Sequence, residues 1–516
     1  MRIALLCPIL CLAFGKINYA QPKTIHKLFS FSPYPTSVFN SVVVTDSCYY
    51  ISGIIADSLP PYRTGALFVK TDLQGTPLVV KGYTDPVDRY ETWFQSLSLD
   101  GQACLATHGY NYAQDTNVLF FIRYDATGNI KNLSNFRAVK GSIQEIPYDM
   151  VRFGADQYML CVAVTQTGGN SALYLVKLNQ VGTPEFVKPV SSQVNTIALN
   201  RINTTPDGGF VVGGLGSNQN TNSKNIIMQT VLAKFDSLGN KQWDYLSPAE
   251  EDWLGTLGGL VVNENHEIVF GTAQGKAIPI NSSSEYFVWN WCLVKMDMDR
   301  KILWKTFFRP TPEAFQDTDR HLWNMIALRD NKGYVAVGQN FEAGPRWHGW
   351  IVKAAENGDS LWMRKYNFEG LNIVYELKDL QEDKDGYLVM VGEYRDISKA
   401  DVGQKAWLLK VDPYGCLVPG CHLVATKEAS DNTINLLLYP NPASDFLHFY
   451  CAFPPSINTL TYTIVDGNGR ACLESGLVTN AATHILPVNA LPPGNYFLQL
   501  SYNGEIVKAA KFMVLR

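Results

Sequence analysis

The chain of 516 residues has no excess of either charge, since 43 Lys and Arg against 47 Asp and Glu leave a formal −4. That balance argues against nucleic acid or an anionic membrane as the main partner. Past the first twenty or so residues no stretch approaches the ~18 consecutive apolar residues of a membrane-spanning helix, so no transmembrane segment is expected in the mature chain. Long runs with a 3.6-residue apolar period are scarce. The common catalytic signatures are missing as well: HExxH, GxSxG, GxxxxGK followed by Ser or Thr, and GxGxxG at a strand-to-helix turn. The 8 histidines are scattered without metal-ligand spacing. Asp297-Met298-Asp299 and Asp383-Lys384-Asp385-Gly386 lack the remaining ligands and closing Glu of a calcium loop and read as hairpin turns. No metal and no cofactor is therefore expected.

What is present points to β structure: aromatics at 12%, 40 Gly and 26 Pro. At the start, Arg2 precedes the short apolar run Ile3 to Phe14, and Ala20 offers a small residue before Gln21. Residues 1–20 thus read as a secretory signal peptide. Of the 10 cysteines, Cys48, Cys104, Cys161 and Cys292 sit in apolar strand-like runs and read as buried free thiols. Cys416 and Cys421, in GCLVPGC, flank a Pro-Gly turn, and in an exported protein they are expected to pair. Pairing of Cys451 with Cys472 stays open.

The segment LAKFDSLGNKQW (Leu232–Trp243) reads as two strands joined by a turn, with Asp236 taking backbone N–H groups and Gly239 supplying positive φ. It is one of seven copies, anchored on Lys70, Arg123, Lys177, Lys234, Lys295, Lys353 and Lys410 at spacings of 53, 54, 57, 61, 58 and 57. Two positions on stands Asp or Asn in every copy but that of Ala355, and five positions on stands Gly in every copy but that of Arg300. Upstream of the anchor lies a second hairpin, such as DGGFVVGG (Asp207–Gly214) or DGYLVMVG (Asp385–Gly392), preceded by a first strand such as VYELKDL. About four short strands per unit is the arithmetic of a propeller blade. The chain is accordingly expected to be all-β, with a seven-bladed β-propeller over 21–425. The seventh copy lacks its last strand, and TIHKLFSF (Thr24–Phe31) precedes the first copy's opening strand. That surplus strand is expected to fill the vacancy and close the ring, leaving no open edges.

Residues 426–433 turn polar and read as a linker. From 434 to 516 six or seven strands with hairpins at Asp466–Gly469 and Asn503-Gly504 fit a small C-terminal β-sandwich. Four motifs in this segment, YPNPASD (Tyr439–Asp445), DGNGR (Asp466–Arg470), LPPGNYFLQL (Leu491–Leu500) and KFMV (Lys511–Val514), together resemble the C-terminal sorting domain of type IX secretion substrates. The positions that carry the resemblance are Tyr439, Pro440, Asn441, Pro442, Asp466, Gly467, Gly469, Arg470, Gly494, Tyr496 and Lys511. It implies a Gram-negative host, an outer-membrane translocon that recognises the domain, a sortase that removes it, and a product that is secreted or attached to the cell surface. The repeat region is similar to the propeller repeats common in such cargo. Asp-Ser-Leu at Asp57–Leu59, Asp236–Leu238 and Asp359–Leu361 resembles the O-glycosylation sites of such bacteria.

Polar residues cluster before several first strands: Asp85, Asp88 and Arg89 before Trp93; Glu250, Glu251 and Asp252 before Trp253; Asp317, Asp319, Arg320 and His321 before Trp323. In a propeller these would converge on one rim of the channel, where carboxylates beside Trp faces suit carbohydrate or cation recognition. They also fit loop-solvating charges. Three functions match this sequence. The leading one is a secreted or surface-attached module, an adhesin or a receptor for an extracellular glycan or protein. The others are a hydrolase or lyase acting on polysaccharide or peptide, which needs two carboxylates or a Tyr/His pair on the channel face, and a structural component of the cell surface.

Overall fold

The computed structural model describes residues 23–57, 63–99, 103–111, 116–154, 157–166, 171–190, 195–217, 229–248, 257–281, 284–308, 320–342, 346–369, 371–399, 403–418, 421, 434–454, 457, 459–466, 470–502 and 505–515. The expected signal peptide and linker therefore lie outside the described residues.

The turn chemistry of the repeat is visible at Asp236, whose Oδ1 accepts the backbone N–H groups of Leu238 at 2.9 Å and Asn240 at 2.8 Å. Asp72, Asp125, Asn179 and Asp412 accept the equivalent pairs in their own turns. Where Ala355 replaces the Asp, Asn357 takes over part of the role, its Oδ1 accepting the N–H of Asp359 at 3.1 Å. Gly239 has φ 76°, and a Cβ there would also come within 3.2 Å of Phe186 on the preceding unit. Two constraints thus ask for Gly: left-handed backbone and close packing between neighbours. Arg300, the exception, adopts the same left-handed conformation at φ 71° without that advantage.

Apolar β-branched and aromatic runs flank these turns and pair into four-stranded antiparallel units. Six of them run from Thr36–Val44 to Pro77–Tyr83, Asp88–Leu99 to Ile130–Phe136, Ser142–Arg152 to Pro184–Pro189, Asn195–Thr204 to Lys241–Leu246, Leu257–Val262 to Ile302–Phe307 and Arg320–Ala327 to Ser360–Tyr366. A further unit contains Ile373–Glu382, Leu388–Asp396 and Lys405–Val411, and its fourth strand is Ile25–Phe29, antiparallel to the last with Ile25 opposite Lys410 and Phe29 opposite Ala406. The surplus strand fills the vacancy, as the repeat register predicts. A single parallel bridge, Trp347 to Val374, joins this unit to its predecessor. The first strand of each unit touches the first strand of the next, and Ile373–Glu382 touches Thr36–Val44, so the ring closes into a β-propeller.

The core lies between neighbouring sheets. One cluster combines Ile25 of the closing strand with Phe39, Ile51 and Leu67 of the first unit and Val389 and Leu408 of the last, all buried. The basic anchors lie where one hairpin meets the next: Lys234 pairs with Asp207 at 2.5 Å, Lys295 with Glu267 at 2.6 Å and Lys410 with Asp383 at 2.7 Å. Cys416 and Cys421 form a disulfide. Cys48, Cys161 and Cys292 are buried free thiols, and Cys451 and Cys472 are both unpaired. The Cys104 side chain lies outside the described residues.

The C-terminal segment packs a three-stranded sheet (Asn435–Tyr439, Phe446–Ala452, Ala482–Pro487) against a four-stranded one (Leu460–Asp466, Ala471–Val478, Gly494–Tyr502, Glu505–Val514). Their inner faces share Leu447, Phe449, Leu460, Ile464, Leu498 and Phe512, which makes a β-sandwich.

Candidate functional site

The first strand of most units is bulged at one equivalent place. The register slips between Phe39 and Ser41, Pro147 and Asp149, Leu199 and Arg201, Leu322 and Asn324, and Leu377 and Asp379. A bulge re-aims the side chains at and after it, and here that brings polar residues from five units to one cavity of about 480 Å³. Its wall includes Asn40, Tyr148, Arg201, Trp323, Glu376 and Lys378.

Two of the wall's acids hold the ring together. Asp149 Oδ2 accepts the backbone N–H of Ile202 on the next unit at 3.0 Å. Asp379 Oδ2 accepts the N–H of Val42 and the hydroxyl of Ser41, each at 2.8 Å, while Oδ1 accepts the Asn324 amide at 2.6 Å. Burial nevertheless pushes the Asp379 carboxyl up, against those donors. Two other acids are arranged differently. Glu376 and Glu393 stand directly opposite each other on paired strands and both line the cavity. Glu393 Oε2 lies 3.3 Å from Lys378 Nζ and accepts the Gln404 amide at 3.0 Å. Burial pushes the Glu376 carboxyl up, and the facing Glu393 carboxylate adds to this against the Lys378 ammonium. Burial works to lower the Lys378 pKa, and the Glu393 and Glu376 carboxylates more than reverse it. Trp323 adds an aromatic face, and its buried indole N–H has no acceptor among the described residues.

Of the residues expected at the rim, the structure describes the side chains of Asp85, His321 and Trp323. Trp323 lines the cavity, and His321 stacks on it with ring centroids 5.6 Å apart. Asp85 sits on the connection before the second unit, where its Oδ1 accepts the N–H of Val87 at 2.7 Å. The structure places Asp88, Arg89 and Trp93 on the strand Asp88–Leu99 and Arg320 at the start of Arg320–Ala327, with their side chains outside the described residues. Glu250, Glu251, Asp252, Trp253, Asp317 and Asp319 also lie outside them. Glu376, Lys378 and Glu393 escaped sequence reasoning. The signal was in VYELKDL, where charges at 376, 378 and 379 interrupt a strand that is otherwise apolar.

A second constellation is in the sandwich. Asn441 Nδ2 donates to the Lys511 carbonyl at 3.2 Å and its Oδ1 accepts the Met513 N–H at 2.9 Å, so the YPNP segment is bound to the terminal strand. The Tyr496 hydroxyl donates to the Pro492 carbonyl at 2.7 Å within LPPGNY, and the Arg470 N–H donates to Asp466 Oδ1 at 2.9 Å. Gly494 opens the strand Gly494–Tyr502, whereas Gly467 and Gly469 lie outside the described residues. The sequence profile of the secretion system C-terminal sorting domain matches residues 437–515. This segment is a type IX secretion sorting domain.

The sorting domain marks the protein as secreted or attached to the cell surface and as a client of the type IX machinery. No curated protein matches the chain. Similar solved structures include the polysaccharide lyase Uly1 (8% identity, covering 78% of this chain and 94% of that one, TM-score 0.43). An alpha-L-arabinofuranosidase of Fusarium graminearum shows 9% identity, 76% and 98% coverage and a TM-score of 0.39. The β-propeller domain of the Trilobed protease from Pyrococcus furiosus shows 9% identity, 72% and 95% coverage and a TM-score of 0.41. Likenesses this weak decide no activity; the sheet order and the closed ring of contacts carry the fold. Among the described residues no helix is long and apolar enough to cross a membrane.

Proposed function

We propose that the propeller is an exported recognition module that binds an extracellular glycan in the channel cavity, delivered through the sorting domain by the translocon and released from that domain by a sortase. The first twenty residues serve as its export signal. The observation that carries the reading is the cavity wall: amide, carboxylate and cationic groups from five units beside the Trp323 indole, in a space of about 480 Å³. That volume falls within the roughly 300–1,000 Å³ of small-molecule sites. Vicinal hydroxyls suit such planar acceptors and forked donors, and the C–H face of a sugar suits an aromatic ring.

A glycan array probed with the full chain tests this. Trp323→Ala is expected to abolish the binding seen with the parent, whereas the paired charge reversal Asp252→Lys and Asp319→Lys leaves it unchanged. Loss of binding only in the charge-reversed protein would return the site to the loop rim. Absence of any glycan binding would favour a protein ligand or a purely structural role.

A further inference from the structure

The channel wall contains one acid pair that the ring's architecture does not use. Asp149 and Asp379 accept backbone N–H groups across unit boundaries and so position neighbouring strands. Glu376 and Glu393 accept no such inter-unit bond among the contacts described. They are cross-strand partners of each other, which places them on one face with Cβ atoms about 4.5–5.5 Å apart. Like charges so placed repel and weaken the sheet. Their neighbours divide the pair into unlike halves: Lys378 and Gln404 both reach Oε2 of Glu393, while Glu376 has no ion-pair or hydrogen-bond partner of that kind among the described residues. The same cavity is lined by Trp323, whose buried indole N–H has no acceptor among the described residues.

We infer that Glu376 and Glu393 cleave a glycosidic bond of a saccharide held in the channel, with Glu376 as proton donor and Glu393 as nucleophile. This rests on the glycan reading of the cavity. Carboxyl groups about 5–5.5 Å apart are the spacing of retaining glycoside hydrolysis, and two Glu side chains rooted on directly opposed strand neighbours, with Cβ atoms about 4.5–5.5 Å apart, have the reach to adopt it. Burial raises the Glu376 pKa, opposed by Lys378 on the same strand, supported by the facing Glu393 carboxylate, and opposed again by His321 on the neighbouring unit and Arg395 on the next strand, which makes it the one to place, protonated, beside a leaving group.

In the first step the Glu376 carboxyl gives its proton to the glycosidic oxygen while the bond from that oxygen to the anomeric carbon breaks. A Glu393 oxygen forms a bond to the same carbon, so the alcohol leaves and a glycosyl ester remains. In the second step water adds to the anomeric carbon and gives a proton to the Glu376 carboxylate as the bond to Glu393 breaks. Both side chains return to their starting states, and the net change is addition of one water across the glycosidic bond. No oxidant, metal or cofactor enters.

The test uses the full chain with a panel of 4-methylumbelliferyl α- and β-glycosides, matched alkyl glycosides, and S-linked analogues that bind without being cleaved. The parent is expected to release methylumbelliferone from at least one of them. Glu393→Gln should lower that rate by at least a thousandfold, and Glu376→Gln by about 10²–10⁴-fold on the alkyl glycoside but much less on the better leaving group. Glu376→Gln should also lose the basic limb of the pH–rate profile, a change that a merely structural role would not produce. The S-glycoside should bind both variants within about threefold of the parent, which shows that the cavity is intact. S-glycoside binding without turnover of any O-glycoside overturns the catalytic inference and leaves the recognition reading standing. Neither binding nor turnover overturns both. Cleavage of peptide instead of glycoside by the same two carboxylates overturns the saccharide assignment.

Discussion

Replacing Lys410 by Met tests how the ring is closed. Its ammonium lies 2.7 Å from Asp383 Oδ2 and donates to the Tyr49 hydroxyl at 2.9 Å. It also sits over the rings of Tyr49 and Tyr387, 5.6 and 5.2 Å from their centroids. Lys410 and Asp383 belong to the last unit and Tyr49 to the first, so one buried cation spans the closure. Burial works to lower the Lys410 pKa, and Asp383 and Tyr49 more than reverse it, which keeps the group charged. The two side chains are only 7% and 9% exposed, which makes this a buried pair. Lys410→Met then leaves the Asp383 carboxylate without its cation, a change that costs about 3–5 kcal/mol. Asp383→Asn keeps Oδ1 as acceptor for the N–H groups of Asp385 and Tyr387, each at 2.9 Å. The double variant buries no charge, and its loss should fall below about 2 kcal/mol. Urea unfolding followed by tryptophan fluorescence at pH 7 measures all three, and the double-mutant cycle isolates the pair. A loss under about 1 kcal/mol in Lys410→Met, or a double variant no more stable than that single one, would refute the account.

Burial, outweighing the Glu369 carboxylate, lowers the pKa of His26 on the closing strand, whose ring stacks on Phe368 at 3.8 Å. Its stabilising contribution is complete above the unfolded value near 6.5 and is lost as pH falls through the lower folded value. Melting temperatures from pH 7.5 to 5 should therefore fall more steeply in the parent than in His26→Phe; equal slopes count against this. Arg300→Gly relieves left-handed backbone at φ 71° and gives up one exposed bond to the Asp244 carbonyl at 3.4 Å; a gain of about 1 kcal/mol in urea unfolding is expected. Asn441→Ala removes both bonds between YPNP and the terminal strand; faster amide exchange across Lys511–Val514, read by mass spectrometry, is the expected result, and unchanged protection contradicts it.

The ring was legible because its signals are local. Asp236 and Gly239 act within a few residues, and a turn repeated at a near-constant period states its own architecture. The closing strand was legible for a related reason, since the last copy lacked a partner that the start of the chain supplied. The site was not legible in the same way. The sequence drew attention to acid-rich loops, and of the three of their residues whose side chains are described, Trp323 stands in the cavity wall with His321 stacked on it, while Asp85 turns to the N–H of Val87. Glu393 sits in EYRD and reads as a strand-end charge until its register with Glu376 is known. Pairing across strands and bulges that turn a side chain inward are tertiary facts without local spelling. The sandwich lies between these cases: YPNP and KFMV stood out as motifs, while the bonds from Asn441 to Lys511 and Met513 that join them appear only in the fold.

The strand Ile25–Phe29 leaves the ribosome first among the described strands and takes its place beside Lys405–Val411, nearly the last part of the propeller to be made. Until then the acid pair at Glu376 and Glu393 stands in an unfinished circle, and every earlier unit waits as an open stack. Wherever the chain folds, both ends of the propeller thus have to be present before the cavity is closed. A nick or trimming event that removed Ile25–Phe29 would open the ring beside a cavity built some 350 residues downstream.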